Sequence, residues 1–300
     1  MSTDDRLDHG ADGAGVVRQE ILYRLARRPR QGRPGQHRSR APGPGLDVHG
    51  FAPLAAHPDA RRLDLHVSAR DPFGHWMVRL PRQRSGATLI VLADLSASMA
   101  FGRSPRKQDA LADLVEALGH SAWRAGDTIG FLGADDVLHE QWTMPPTRSR
   151  GATAALAQRL RSARLQAPGA GAMALAAQRF GRLRDSLVFL VSDFHWPEPA
   201  LDATCAALAA RDVVPVVLWA QHEYARWPRR GLADVQDLES GERRTVWFRP
   251  ALADAMARDG ALRRAALRRR FSDHGWRPFF CDGAFDATAI NAYFHGEDHP

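Results

Sequence analysis

LIVLADLSASM, residues 89–99, is an apolar run that breaks into Asp-x-Ser-x-Ser. No polar residue interrupts it from Leu89 to Ala93. An unbroken apolar strand of this kind is buried on both faces, as in a mainly parallel sheet with helices packed on each side. At its end, Asp94, Ser96 and Ser98 offer one carboxylate and two hydroxyls at alternate positions. Two readings stand side by side. A serine can cap the following helix while the carboxylate makes a local turn bond. Alternatively, three hard oxygen donors on one turn converge on a cation such as Mg²⁺ or Mn²⁺.

Outward from this strand, Thr88–Asp94, the chain alternates regularly. A helix is expected from about Pro105 to Arg124, with Pro in its first turn and a one-sided stripe of Ala110, Leu111, Leu114, Val115 and Leu118. GDTIGFLGAD reads as a second strand and VLHEQWTM as an edge strand beside it. Helices are expected near Gly151–Ala163 and Ala172–Leu183, then an apolar strand over Ser186–Asp193. A helix over Pro199–Arg211, the strand VVPVVLWA, a charged hairpin over Gly231–Thr245 and a helix over Ala251–Arg270 follow. RPFFCD is the last strand, and a short helix near Ala287–Tyr293 precedes a polar tail. Upstream, Asp64–Arg70 and His75–Pro81 alternate well enough to read as strands. The fold class is therefore α/β, a doubly wound, mainly parallel sheet with helices on both faces. Such sheets bind ligands outside the carboxyl ends of their strands, where the strand order switches.

A second apolar strand ends in a carboxylate, at Asp193 in LVSDFHW, and would emerge at the same edge as Asp94. That coincidence favours a shared site over two unrelated turns. His195, two residues beyond Asp193, offers a base or a second ligand, but reads first as a surface or aromatic-packed histidine beside Trp196.

Three organisational units are expected: an Arg/Pro/Gly-rich flexible arm over 1–45, a short β segment over 46–87, and the α/β domain over 88–295. The net charge of +7 is an arginine excess with much of it in that arm. The arm lacks interleaved aromatics, so nucleic acid is not the expected partner. No stretch approaches the roughly 18–20 apolar residues of a membrane span, and the N-terminus has no apolar signal core. Cys205 and Cys281 lack metal-type spacing and read as buried reduced thiols, consistent with a cytoplasmic chain. A P-loop and a Gly-x-Ser-x-Gly nucleophile elbow are both absent from the sequence.

Asp94-x-Ser96-x-Ser98 at a strand end resembles the metal-ion-dependent adhesion site of von Willebrand factor A domains. More widely, the chain resembles the bacterial family called domain of unknown function fifty-eight. Phe51, Pro53, Arg62, Leu63, Asp64, Ala69 and Arg70 match its upstream signature, RKQDALADLVEALGHSAWRAGDTIGFLGAD its central helix and strand, and LVFLVSDF the strand bearing the second aspartate. The resemblance implies a von Willebrand factor A-like fold and Mg²⁺ or Mn²⁺ ligation by Asp94, Ser96, Ser98 and Asp193, with Phe194 and His195 facing a partner. It departs at His57-Pro58, at Leu65, and at Ala172, which falls where the adhesion pattern wants a ligating Thr. Thr153 is the alternative hydroxyl. The site is then weak, or has lost its metal.

The function so implied is that of a non-enzymatic adaptor. It would work beside a MoxR-type AAA+ ATPase in assembly or metal loading of another protein complex, with the strand edge binding a partner carboxylate. The runner-up is a metal-dependent phosphohydrolase, which needs a base and a phosphate-binding Lys or Arg at the same edge.

Overall fold

The protein is described here from a computed structural model covering residues 20–25, 34–42, 48–101, 106–179, 186–224, 228–236 and 242–296. Strands β1 (Pro34–Pro42), β2 (Val48–Pro53) and β3 (Met77–Ser85) form an antiparallel sheet in the order β1-β3-β2. Between β2 and β3 lies the one-turn helix α1 (Leu65–Ser68). The expected strand over Asp64–Arg70 is thus corrected to a helical turn. Asp64 is the reason: its Oδ1 accepts the His66 and Val67 amides, and its Oδ2 receives Arg79 Nε at 2.7 Å. A carboxylate satisfying two orphan helix donors stabilises a turn over an extended chain.

Next come β4 (Thr88–Asp94), α2 (Lys107–Ala125), β5 (Thr128–Ala134), β6 (Leu138–Thr147), α3 (Arg150–Ser162), α4 (Met173–Arg179) and β7 (Ser186–Ser192). They are followed by α5 (Glu198–Leu208), β8 (Asp212–Trp219), α6 (Gln221–Tyr224), the hairpin β9 (Gly231–Gln236) and β10 (Arg243–Phe248), α7 (Pro250–Asp273), β11 (Phe279–Asp282) and α8 (Ala287–His295). The central sheet has six strands in the order β11-β8-β7-β4-β5-β6, all parallel except β6. Pro105, expected in the first turn of α2, lies outside the described residues; Asp109 instead accepts the Arg106 amide at the helix start. The helix ends on Gly126 at φ +71°, a left-handed cap that a side chain would strain.

The apolar run 89–93 is buried on both faces. Leu89, Val91 and Ala93 pack in one core with Leu111, Leu114, Leu118, Leu156 and Ile290, while Ile90 and Leu92 pack in another with Met173, Ala176, Leu201 and Phe271. Alternate residues serve opposite faces, so no position from Leu89 to Ala93 tolerates an unpaired polar group. Each large side chain so buried contributes about 1.5–3 kcal/mol.

The flexible-arm expectation for 1–45 does not hold for residues 20–25 and 34–42. Ile21 and Tyr23 are buried in the first of these cores, and β1 pairs with β3. The Ile21 amide donates to Ser121 Oγ on α2, and the Leu22 amide to Asn291 Oδ1 on α8. Two buried side chains, Ile21 and Tyr23, and two partnered amides, of Ile21 and Leu22, outweigh the local Arg/Pro/Gly composition. No described helix is long and apolar enough to cross a membrane.

Candidate functional site

After β4 the chain builds β5 and β6 on one side, then returns to place β7 on the other. The strand order therefore switches at β4, and ligand crevices in such sheets open at that point. Ala93 pairs with Val191, which sets Asp94 beside Ser192 and leaves Asp193 one residue beyond. The two strand-end carboxylates are neighbours, as the sequence indicated.

Asp94 is fully buried. Its Oδ1 accepts the Ser96 amide at 2.8 Å; its Oδ2 accepts Ser192 Oγ and Trp196 Nε1, each at 2.7 Å. Burial, then the nearby charge of Asp193, pushes its carboxyl up to about 6. Ser96 Oγ and Ser98 Oγ are 3.2 Å apart. Of the two readings of this turn, the local bond is present for Asp94, but Ser96 stands at the head of the 3₁₀ turn Ala97–Ala100 without a side-chain capping bond.

Asp193 is held differently. Burial alone would raise its carboxyl, but the Lys107 ammonium, 2.6 Å from Oδ2, and His195 bring it below the usual carboxylate range. Lys107 Nζ also donates to Glu223 Oε1 on α6 and lies 5.5 Å from the centre of the Phe101 ring. Glu223 moves the other way: burial raises it, against the pull of Lys107. One carboxylate oxygen each of Asp193 and Glu223 and one ring nitrogen of His195 lie within 4.8 Å of one another.

Phe194 is corrected from a partner-facing residue to a core residue. It is 2% exposed, with its ring 5.0 Å from Phe271 and 5.1 Å from Trp196. It is also the one non-glycine among the described residues with positive φ, at +56°. A left-handed aromatic costs about 1–3 kcal/mol and persists only where its surroundings demand it. Here the reversal sends the ring into the core and leaves Asp193 at the sheet edge. Arg263 donates to the Phe194 carbonyl at 2.7 Å, which holds the turn. His195 is partly exposed, with Nε2 2.6 Å from the Tyr224 hydroxyl.

Ala172 immediately precedes α4, and its amide donates to the Asp135 carbonyl just past the end of β5. It therefore lies at the carboxyl edge, where the resemblance put it, and presents a methyl group. Thr153 does not reach this edge. It packs on Gly119 of α2, and its hydroxyl donates to the Arg150 carbonyl of its own helix. Gly119 is twelve residues beyond Lys107 on α2, about 18 Å along the axis. Thr153 is helix-packing, and the alternative ligand is withdrawn.

Sequence reasoning missed Lys107, Ser192, Trp196 and Glu223. Composition held a signal for the first: of the 41 lysines and arginines in the chain, Lys107 is the sole lysine.

The oxygen set fits a divalent ion only in part. The Ser96–Ser98 oxygen spacing of 3.2 Å is close to the edge of about 3 Å in an octahedron of Mg²⁺–oxygen bonds. Against that, Asp94 Oδ2 already accepts two donors, Asp193 Oδ2 is paired with an ammonium, and Ala172 has no donor atom. As arranged, these residues do not make a Mg²⁺ site.

The family model described as "Protein of unknown function DUF58" matches residues 57–266. The chain belongs to that family. Among DUF58 relatives, an uncharacterized protein in the moxR 3′ region of Paracoccus denitrificans is 44% identical over 92 residues, covering 31% of this chain and 88% of that protein. Uncharacterized protein Rv1480 of Mycobacterium tuberculosis is 29% identical over 244 residues, 78% of this chain and 74% of that protein. Among the solved structures that align with 70% of this DUF58 chain are two from Bacteroides. One is the conserved hypothetical protein BatB from Bacteroides thetaiotaomicron, at 16% identity, TM-score 0.40 and 96% of its length. The other is an aerotolerance-related membrane protein from Bacteroides fragilis, at 15% identity, TM-score 0.41 and its full length. Both scores are too low to bear on fold or function.

Proposed function

We propose that this DUF58 chain is a non-enzymatic protein-interaction adaptor with a von Willebrand factor A-like fold. It works with a MoxR-type AAA+ ATPase on a client protein complex, through the carboxyl edge of its central sheet. The observation that carries this reading is the pair of strand-end carboxylates at the switch point, Asp94 and Asp193, each buried and already engaged by donors from its own chain. A catalytic carboxylate needs a reachable substrate atom within hydrogen-bond distance. These carboxylates instead brace the loops after β4 and β7, which suits an edge that must hold its shape for a partner. The moxR-region name of the Paracoccus relative supports the choice of ATPase.

The phosphohydrolase reading called for a phosphate-binding cation at this edge. Lys107 is there, but its ammonium is shared between two carboxylates and its side chain is 3% exposed. The deciding experiment pairs the purified chain with the MoxR-type ATPase of its own genome. Co-elution with that ATPase, and no release of phosphate from a generic phosphoester with Mg²⁺, is the expected result. Phosphoester turnover lost in Asp94→Asn would replace the adaptor reading.

A further inference from the structure

We infer that the Lys107 ammonium holds the place of the divalent cation in this strand-end site, so that the edge carries its own cation and works without metal. The partner-binding half of this inference rests on the adaptor reading; the metal half does not.

Asp94 and Asp193 end neighbouring strands at the switch point, and Glu223 on α6 comes within 4.8 Å of Asp193. Carboxylates gathered in a dry site need a compensating positive charge, because unpaired ionised groups there cost several kcal/mol each. Lys107 supplies it at short range to two of them, 2.6 Å from Asp193 Oδ2 and hydrogen-bonded to Glu223 Oε1. The metal-compatible triad of Asp193, His195 and Glu223 is the group it bridges. A divalent ion bound to Asp193 Oδ2 and Glu223 Oε1 would have to expel that ammonium.

Residue choice points the same way. Everywhere else this chain uses arginine for its long cations. A guanidinium is a planar fork suited to bidentate pairs, whereas an ammonium is a compact point charge with tetrahedral donors. A compact group sits between two carboxylates from different elements much as a small ion does. The helix adds a second reason. Lys107 is the first residue of α2, and Asp109 closes that helix start through the Arg106 amide and guanidinium. The lysine stem thus leaves a rigid element. A tethered ammonium held this way needs no search for its partners and cannot be removed by a chelator.

The consequence for recognition is chemical. Without a metal there is no open coordination position for a partner carboxylate, so the docking contact does not depend on divalent ions.

The test uses the full chain and Mn²⁺ as probe, read by the loss of free-ion electron paramagnetic resonance signal and by thermal unfolding. Wild type should take up no stoichiometric Mn²⁺ and unfold at the same temperature in EDTA or millimolar Mn²⁺. Lys107→Met, which removes the ammonium shared by Asp193 and Glu223, should unfold earlier in EDTA. It should also gain one Mn²⁺ site at least about tenfold tighter than any in wild type, with recovery of the lost melting temperature.

One Mn²⁺ bound stoichiometrically by wild type and lost in Asp94→Ala would overturn the inference, even if Lys107→Met does not fold. A folded Lys107→Met that binds no Mn²⁺ would also overturn it. Capture of the nucleotide-free ATPase with and without EDTA separates the two readings. Capture only without EDTA sinks the built-in cation alone; no capture in either buffer sinks the adaptor while the Mn²⁺ result stands.

Discussion

The Tyr23 hydroxyl donates to Asp127 Oδ2, joining a residue near the N-terminus to the turn between α2 and β5. Asp127 is fully buried, and its other oxygen accepts the Ala87 amide at 2.7 Å, just before β4. One carboxylate thus ties the N-terminal segment to the entry of the central strand. Tyr23→Phe removes a donor from a buried acceptor and should cost about 1–3 kcal/mol. Deleting residues 1–25 also strips Ile21 and the Tyr23 ring from the core and should cost several kcal/mol more. Urea unfolding of the two variants checks both values. A truncated chain as stable as the full one would mean that the segment is not docked in solution.

Asp94 makes the stability of the chain depend on pH with a definite sign. Its carboxyl is raised from 3.8 to about 6 in the folded state, so the native chain holds a proton that the unfolded chain has released. Stability therefore falls as pH rises from about 4 to about 6, where the native state binds more protons. Asp193, shifted downward, acts oppositely: its contribution is present above 3.8 and lost below it. Relative to Asp94→Asn, wild type should lose on the order of 2 kcal/mol across that window. Equilibrium unfolding of both chains at a series of pH values measures the difference in slope.

Gly119 and Thr153 should be inseparable. A Cβ on Gly119 would meet three Thr153 side-chain atoms at 2.4–2.7 Å. Gly119→Ala should therefore destabilise by about 1–3 kcal/mol through overpacking of α2 on α3, despite the better helix propensity of alanine. Melting temperature reports it. A stabilised Gly119→Ala would show that the two helices sit farther apart.

Both cysteines should be inert in the native chain. They are free and buried; burial pushes the Cys205 thiol up to about 11 and the Cys281 thiol up to about 12. Thiolate is the reactive form, so almost none exists at neutral pH. Native protein should show no rapid reaction with a thiol reagent, and two thiols after denaturation. Fast labelling of either one under native conditions would contradict the packing.

Much of this architecture was legible before the tertiary structure. The period-less apolar runs at 89–93 and 187–191 announce strands buried on both faces, and the stripe from Ala110 to Leu118 announces the helix between them. Reading failed where a single local or long-range bond outweighs composition. Asp64 turns an alternating segment into a helical cap. Ile21 and Tyr23 pull an Arg/Pro/Gly-rich neighbourhood into the core.

What the sequence determined by itself was the pair of strand-end carboxylates, because apolar strands of one parallel sheet deliver their last residues to one edge. What surrounds those carboxylates was decided only by folding. Lys107 stands 86 positions from Asp193, and Glu223 116 from Lys107. No periodicity spans such separations. The return of β7 to the flank of β4 brings Asp193 to that edge, where the ammonium at the start of α2 meets it. The same packing buries Phe194 and carries Thr153 away along α2. Charge balance at the site follows from where three separate elements end, and that is a property of the assembled sheet.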